Sequence, residues 1–313
     1  MSDRLLKILI LALGALLLAW VVARFVATRG GGPEPAGFEL AAAAELELDS
    51  VLIEAADQTV RLHAGDGWTV NGHEAIADAG ESLKRALEEA RVGGLVSRNP
   101  ENHARLGVTE MTGRRLTVYA GGSAQLALII GERARGFDQA YVRRIGEDEV
   151  YRLSGTLIGL ARRAVDDWRD KEILAASRED IQRVEFTYPD QSFTLVRDSI
   201  AWHLEPSGAA VQSGVVSSLL GQLAGLRAIG FAADSVADTL SWDPPTARLR
   251  VQGPGGAQLG ELIFLDRDDV GYYLRRAGAP VVYTLNSYTG EQILKREEDL
   301  RPAEEAGAQQ DSG

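Results

Sequence analysis

Four histidines, His63, His73, His103 and His203, are the side chains in this 313-residue chain best suited to bind a metal or move a proton near neutral pH. None has the H-E-x-x-H spacing that sets two imidazoles on one helical face, and none recurs at an equivalent place later in the chain, so they read as isolated surface residues. The run DRDDVG at 266–271 starts like a calcium loop. However, Val270 stands where an oxygen ligand is required and Ala277 where the closing glutamate belongs, so a solvated turn before Tyr272 is expected. Glu88 with Glu89, and Asp166 with Asp167, could be imagined as acid and base, but adjacent residues on a helix point in different directions. There is no G-x-x-x-x-G-K-S/T phosphate loop and no G-x-S-x-G nucleophile elbow. The chain has no cysteine, which removes disulfides, thiolate zinc sites, iron–sulfur clusters and cysteine nucleophiles together. The expectation is a protein that is not an enzyme, with no catalytic residue, metal or cofactor.

What remains is a set of residues that occur twice. Tyr141, Arg143, Arg144, Val150, Tyr151 and Leu153 match Tyr273, Arg275, Arg276, Val282, Tyr283 and Leu285, each 132 positions later. Asp167 and Arg169 match Asp299 and Arg301 at the same offset. Upstream the offset drifts by one or two: Asp57 and Gln58 meet Asp190 and Gln191, Trp68 meets Trp202, and Leu116 and Val118 meet Leu249 and Val251. A unit of roughly 130 residues is far larger than a solenoid repeat and of ordinary domain size.

Two readings stand for each repeated group. The arginines Arg143, Arg144, Arg275 and Arg276 are either cross-strand partners of acids such as Glu147 or Glu149, or a strip on which an anion or a protein partner docks. Neighbours on a strand face opposite sides, so at most one of each pair lines a common surface. Trp68 and Trp202 are either core anchors or sugar-stacking platforms, with Tyr141 and Tyr273 as further structural anchors of the repeat.

The elements that position these residues follow from periodicity. SVLIEA, QTVRLHA and WTV alternate as short strands. Residues 75–91 place Ile76, Leu83, Leu87 and Ala90 near helical spacing, and the second copy, SGVVSSLLGQLAGLR, does so more strongly. RLTVYA, LALIIG, AYVRRI and EVYRL then read as four further strands, with a short helix after them. The expected fold is α+β: two tandem duplicated domains of mostly antiparallel sheet with one main helix each, at 46–172 and 178–302. A flexible linker at 29–45 precedes them and a disordered acidic tail at 303–313 follows.

Residues 5–26, LLKILILALGALLLAWVVARFV, are apolar apart from Lys7 and Arg24 near the ends. As a helix they would extend roughly 33 Å, close to a hydrocarbon core of about 30 Å. Residues 1–28 are therefore read as a transmembrane anchor, with a cleaved signal peptide as the alternative, although the apolar run exceeds the about 7–15 residues usual there. With a nearly empty N-terminal side, the bulk of the chain is expected outside the inner membrane of a bacterium, in the periplasm or beyond. A formal net charge of −12 and the lack of a Lys/Arg-rich block argue against a nucleic-acid partner.

The ordered motifs, a Trp strand, a leucine-rich helix, L-G-L/V before a strand, a Gly-ended strand, YYLRR…VY.L and a closing LR or WRD, recur across about residues 46–302. In this the chain resembles the bacterial domain of unknown function 4340 family. Three departures stand out. The second copy has LSWDPP at 240–245 and LIFLDRDD where the first keeps Gly131, and the first copy, LGVTEMTG, lacks the family's proline. The resemblance implies association with ABC-2 type export systems and gliding-motility-like auxiliary proteins, hence a non-enzymatic accessory scaffold with protein partners in a transporter-like membrane complex. The alternative is an envelope module that binds a glycan or other polymer.

Overall fold

The computed structural model describes residues 38–134, 138–199, 201–268 and 270–302. Two compact units divide between Arg169 and Asp170. The first contains α1 (Ala41–Ala44), β1 (Leu48–Glu54), β2 (Thr59–Ala64), β3 (Trp68–Val70), β4 (His73–Glu74), α2 (Ala79–Glu89), β5 (Arg91–Ser97), β6 (Arg114–Ala120), β7 (Ser123–Arg133), β8 (Gln139–Arg144), β9 (Val150–Ser154), α3 (Leu157–Leu160) and α4 (Val165–Trp168). Its nine strands form one sheet in the order β4-β3-β2-β1-β6-β7-β8-β9-β5, with every pairing antiparallel.

Alternation decides which face of that sheet is covered. Val51 and Ile53 of β1, Val60 and Leu62 of β2, Leu116 and Val118 of β6, and Leu128 and Ile130 of β7 all point to one side and are buried. Leu83, Ala86 and Leu87 of α2 meet them there. α2 starts where Trp68 lies against it. A Cβ on Gly80 would come within 2.0 Å of the Trp68 indole nitrogen, so the first turn needs a residue with no side chain.

The second unit contains β10 (Arg183–Thr187), β11 (Ser192–Arg197), β12 (Trp202–Glu205), α5 (Ser213–Ala224), β13 (Gly230–Phe231), α6 (Asp234–Ala237), β14 (Ala247–Gln252), β15 (Gln258–Asp266), β16 (Gly271–Arg276), β17 (Tyr283–Asn286), α7 (Ser287–Ile293) and α8 (Glu297–Leu300). Its sheet runs β12-β11-β10-β14-β15-β16-β17-β13. This is the order of the first sheet without β4, and the partners correspond as well. Val51 faces Val118 as Val184 faces Val251, and Arg143 faces Ile129 as Arg275 faces Ile263. Both units are therefore mostly antiparallel sheets with a few helices.

Several sequence expectations shift at their edges. Residues 38–45, assigned above to a linker, are part of the first core: Leu40, Ala43 and Ala44 are buried, and Phe38 meets Tyr151 edge-on at 5.8 Å. Residues 170–172, assigned above to the first domain, and 173–177, left between the two, belong with the second unit. Leu226 accepts from the Ile173 N–H, Lys171 accepts from the Ala228 N–H, and Ile173 and Leu174 are buried in the second core. The helix expected over 75–91 begins only at Ala79, because Ala75 and Ile76 pair with the end of the unit instead. Five strands, not four, follow each main helix. The extra one, β5, is irregular at Gly93–Gly94, which breaks its alternation, and Gly94 at φ 65° leaves the space that the Arg152 guanidinium fills.

Each unit closes on its own main helix. Trp168 and Leu300, both 0% exposed, occupy equivalent places in the two cores. The Ile76 N–H donates to the Trp168 carbonyl at 2.9 Å, and the Gln212 N–H donates to the Leu300 carbonyl at 2.8 Å, each just ahead of the main helix. Among the described residues no helix is long and apolar enough to cross a membrane. The proposed anchor at 5–26 and the tail at 303–313 lie outside the described residues. Truncating the closing residue tests this arrangement: Trp168→Ala is expected to destabilise the first unit by about 3–5 kcal/mol, read as a lower urea midpoint.

Candidate functional site

The repeated arginines come to different environments. Arg143 lies on the face of the first sheet away from α2, opposite Ile129. There Leu106, Val108, Ile129 and Val150 form a small separate apolar cluster, with Tyr141 and Ile145 packed on it. The loop from Pro100 to Gly113 lies over this face. Arg143 holds it, donating from Nε to the Val108 carbonyl at 3.0 Å and from Nη1 to the Glu147 carbonyl at 3.0 Å. Three glycines make the close approach possible. A Cβ at Gly131 would sit 2.4 Å from the Leu106 carbonyl oxygen, one at Gly113 would sit 2.2 Å from Ile129, and one at Gly107 would sit 2.8 Å from Glu132. The L-G-V and strand-ending-Gly motifs are thus two halves of one contact.

In the second unit the same place is filled differently. Counting from Leu106-Gly107-Val108 brings Leu240-Ser241-Trp242 to the equivalent position. The Arg275 guanidinium lies 4.4 Å from the Trp242 ring centroid, with its Nε buried and without a hydrogen-bond partner among the described residues. A side-chain stack replaces a backbone hydrogen bond, which is why Leu265 can stand where the first copy needs Gly131.

Arg144 and Arg276 face away from these lids. Arg144 lies 3.7 Å from Glu147 and 4.7 Å from the Phe38 ring centroid, while Glu149 pairs with Arg98 instead, at 3.9 Å. Arg276 is exposed. The paired arginines of each unit therefore divide between the two sides of a strand and form no common strip within it. Trp68 and Trp202 are half-buried against the first and second cores respectively. Tyr273 is half-buried beneath the Arg267 guanidinium, 5.2 Å away. Asp266 ends β15 and Gly271 opens β16, and no group of three His, Asp or Glu side chains able to hold a metal occurs among the described residues.

The outer face of the second sheet carries a ladder of charges. Glu205, Arg183, Glu185, Arg250, Glu261 and Arg248 connect in sequence at 2.9, 3.1, 3.2, 3.4 and 2.7 Å. The hydrogen bond from Arg248 holds the Glu261 carboxyl below the usual glutamate range against its partial burial, with Arg250 adding to the effect. A lower folded-state pKa means stabilisation that is complete above the unfolded value and is lost as pH falls through the folded one. The Arg248→Gln variant should therefore have a lower urea midpoint than wild type at neutral pH. The two midpoints should converge as pH drops below the Glu261 titration, and high salt should narrow the gap.

A second concentration of arginines was not singled out by the sequence reading. Between α2, the end of β7 and α3 lies a cleft of about 900 Å3, lined by Arg85, Arg133, Arg162 and Arg163 together with Glu89 and Asp138. Arg162 is anchored by a 2.8 Å bond from Nη2 to the Gly131 carbonyl. Its Nε is buried without a hydrogen-bond partner among the described residues. Burial lowers its pKa, and Arg133 and Arg114 lower it further, with Glu132 acting the other way. The Arg163 guanidinium stacks 4.4 Å above the buried Trp168 ring, while its carbonyl accepts from Gln58 Nε2 at 3.1 Å. The signal for this site was another RR doublet, at 162–163. It is not repeated, since Leu294 and Lys295 stand 132 positions on, so the doublet has no counterpart in the second copy to mark it.

A family model described as Domain of unknown function (DUF4340) matches residues 68–245, from the first residue of β3 to just ahead of β14. No curated protein and no solved structure matches the chain.

Proposed function

Because the chain belongs to the family described as Domain of unknown function (DUF4340), whose description assigns no activity, we propose a role drawn from its architecture: a membrane-anchored, non-enzymatic extracytoplasmic accessory protein of an ABC-type export system. The observation that carries this reading is the correspondence of the two sheets in strand order and register. It supports an origin by duplication, and it gives one chain two copies of one sheet surface, which suits a docking element. The lids on the two outer faces differ, which suits recognition of two different partner segments. The uninterrupted apolar run from Ile8 to Ala23 supports the anchor, and an energy source in a separate ATP-binding subunit accords with the lack of a phosphate loop in the sequence.

Two measurements test the proposal. Since the chain has no cysteine, a single introduced one is an unambiguous topology probe. Met111→Cys and Tyr288→Cys, at positions 86% and 67% exposed, should react with a membrane-impermeant maleimide in spheroplasts of intact inner membrane. Labelling only after lysis would place the bulk of the chain on the other side and end the proposal. Crosslinking in membranes followed by affinity capture should recover a multi-span permease or its ATP-binding subunit. Recovery of neither would remove the transporter association while leaving the topology result standing.

A further inference from the structure

We infer that the arginine-lined cleft of the first unit binds one phosphate ester, soluble or as the headgroup of a lipid, through Arg133, Arg162 and Arg163. This goes beyond the accessory role and does not depend on it.

Charge balance is the first ground. The chain carries a formal net charge of −12, yet this cleft gathers four guanidinium groups against Glu89 and Asp138. Arg85 is engaged by Glu81 at 3.3 Å. Among the described residues no carboxylate lies within ion-pairing distance of Arg133, Arg162 or Arg163. Three guanidinium groups gathered with no acid paired to them repel one another more than Glu89 and Asp138 in the lining offset, and an oxyanion between them removes that cost.

Preorganisation is the second. Arg162 is fixed through Nη2 to the Gly131 carbonyl, while its buried Nε remains unpaired. The Arg163 guanidinium carbon lies 4.4 Å from the Trp168 ring centroid, a contact that restricts its rotamers without using its N–H donors. Planar forks held in this way suit the oxygens of a phosphate, and less rotamer entropy is lost on binding.

The third ground is the rest of the lining. Ile158, Leu160, Gly155 and Gly159 give the cleft an apolar and backbone wall beside the arginines. A volume of about 900 Å3 far exceeds a bare phosphate and falls within the range of small-molecule sites. An organic ester fills both parts of such a cleft, whereas an inorganic ion fills one. Leu294 and Lys295 replace the doublet in the second unit, so one site per chain is expected.

The test is calorimetric titration of the full chain in neutral detergent with sn-glycerol 3-phosphate and with dihexanoyl phosphatidic acid, using glycerol and sodium chloride of matched ionic strength as controls. One saturable site is expected for at least one phosphate probe, and none for the controls. Comparable affinity for both probes assigns a soluble ester, and binding of the lipid alone assigns a headgroup. Arg162→Gln and Arg133→Gln should each weaken binding about tenfold, the scale of one hydrogen bond to a charged group, while Arg276→Gln should leave it unchanged. Arg133 is exposed at a strand end, so its variant keeps the test valid if Arg162→Gln lowers the urea midpoint. No saturable binding of either probe, two equal sites, or equal weakening by Arg276→Gln would overturn the inference.

Discussion

The constraint on which each unit depends is that a sheet with one apolar face must keep its helices on that face, and the chain achieves this by returning its last residues to the start of its main helix. Trp168 and Leu300 are the residues that return. Each buries its side chain in the core and gives its carbonyl to an N–H just before the helix, so hydrophobic burial and backbone pairing act at one point. A second tie brings the same segment to the first hairpin: the carbonyl of Arg163 accepts from Gln58, and that of Lys295 accepts from Tyr188. The two donors differ in kind and the two acceptors occupy equivalent positions, which is what a backbone-directed contact allows.

The second unit strengthens that tie with charge. Arg296 reaches Asp190 at 2.7 Å and stacks 4.4 Å from the Tyr188 ring centroid, and its hydrogen bond holds the Asp190 carboxyl below the usual range. In the first unit Asp57 is instead 3.8 Å from Arg114. The same loop residue thus finds a cation on a different element in each copy, and the fold is indifferent to which.

Much of this was legible in the sequence, and the reasons are local. Alternation in SVLIEA and RLTVYA is strong because one face of each strand is fully buried, and the repeat offset exposed equivalences that the sheet registers bear out strand by strand. β5 was not legible, because Gly93 and Gly94 interrupt its period and its partner β9 is distant in sequence. Residues 38–45 looked like spacer because alanine carries little patterning, yet small side chains are what a helix packed closely on α2 requires. The arginine cleft was hidden for another reason. Its residues come from α2, β7 and the segment after α3, and no spacing rule joins elements that only the sheet brings together.

The two lids also differ in what they ask of evolution and of the engineer. On the first unit the loop is seated by glycines, a carbonyl and the buried side chains of Leu106 and Val108, so its exposed positions can change while the buried ones, and those where a methyl group would intrude, cannot. On the second unit the seating contact is made by an indole beside a guanidinium, so part of the requirement passes from the backbone to one aromatic ring. A surface graft on the first unit therefore belongs at exposed loop positions such as Met111, and one on the second must leave Trp242 in place.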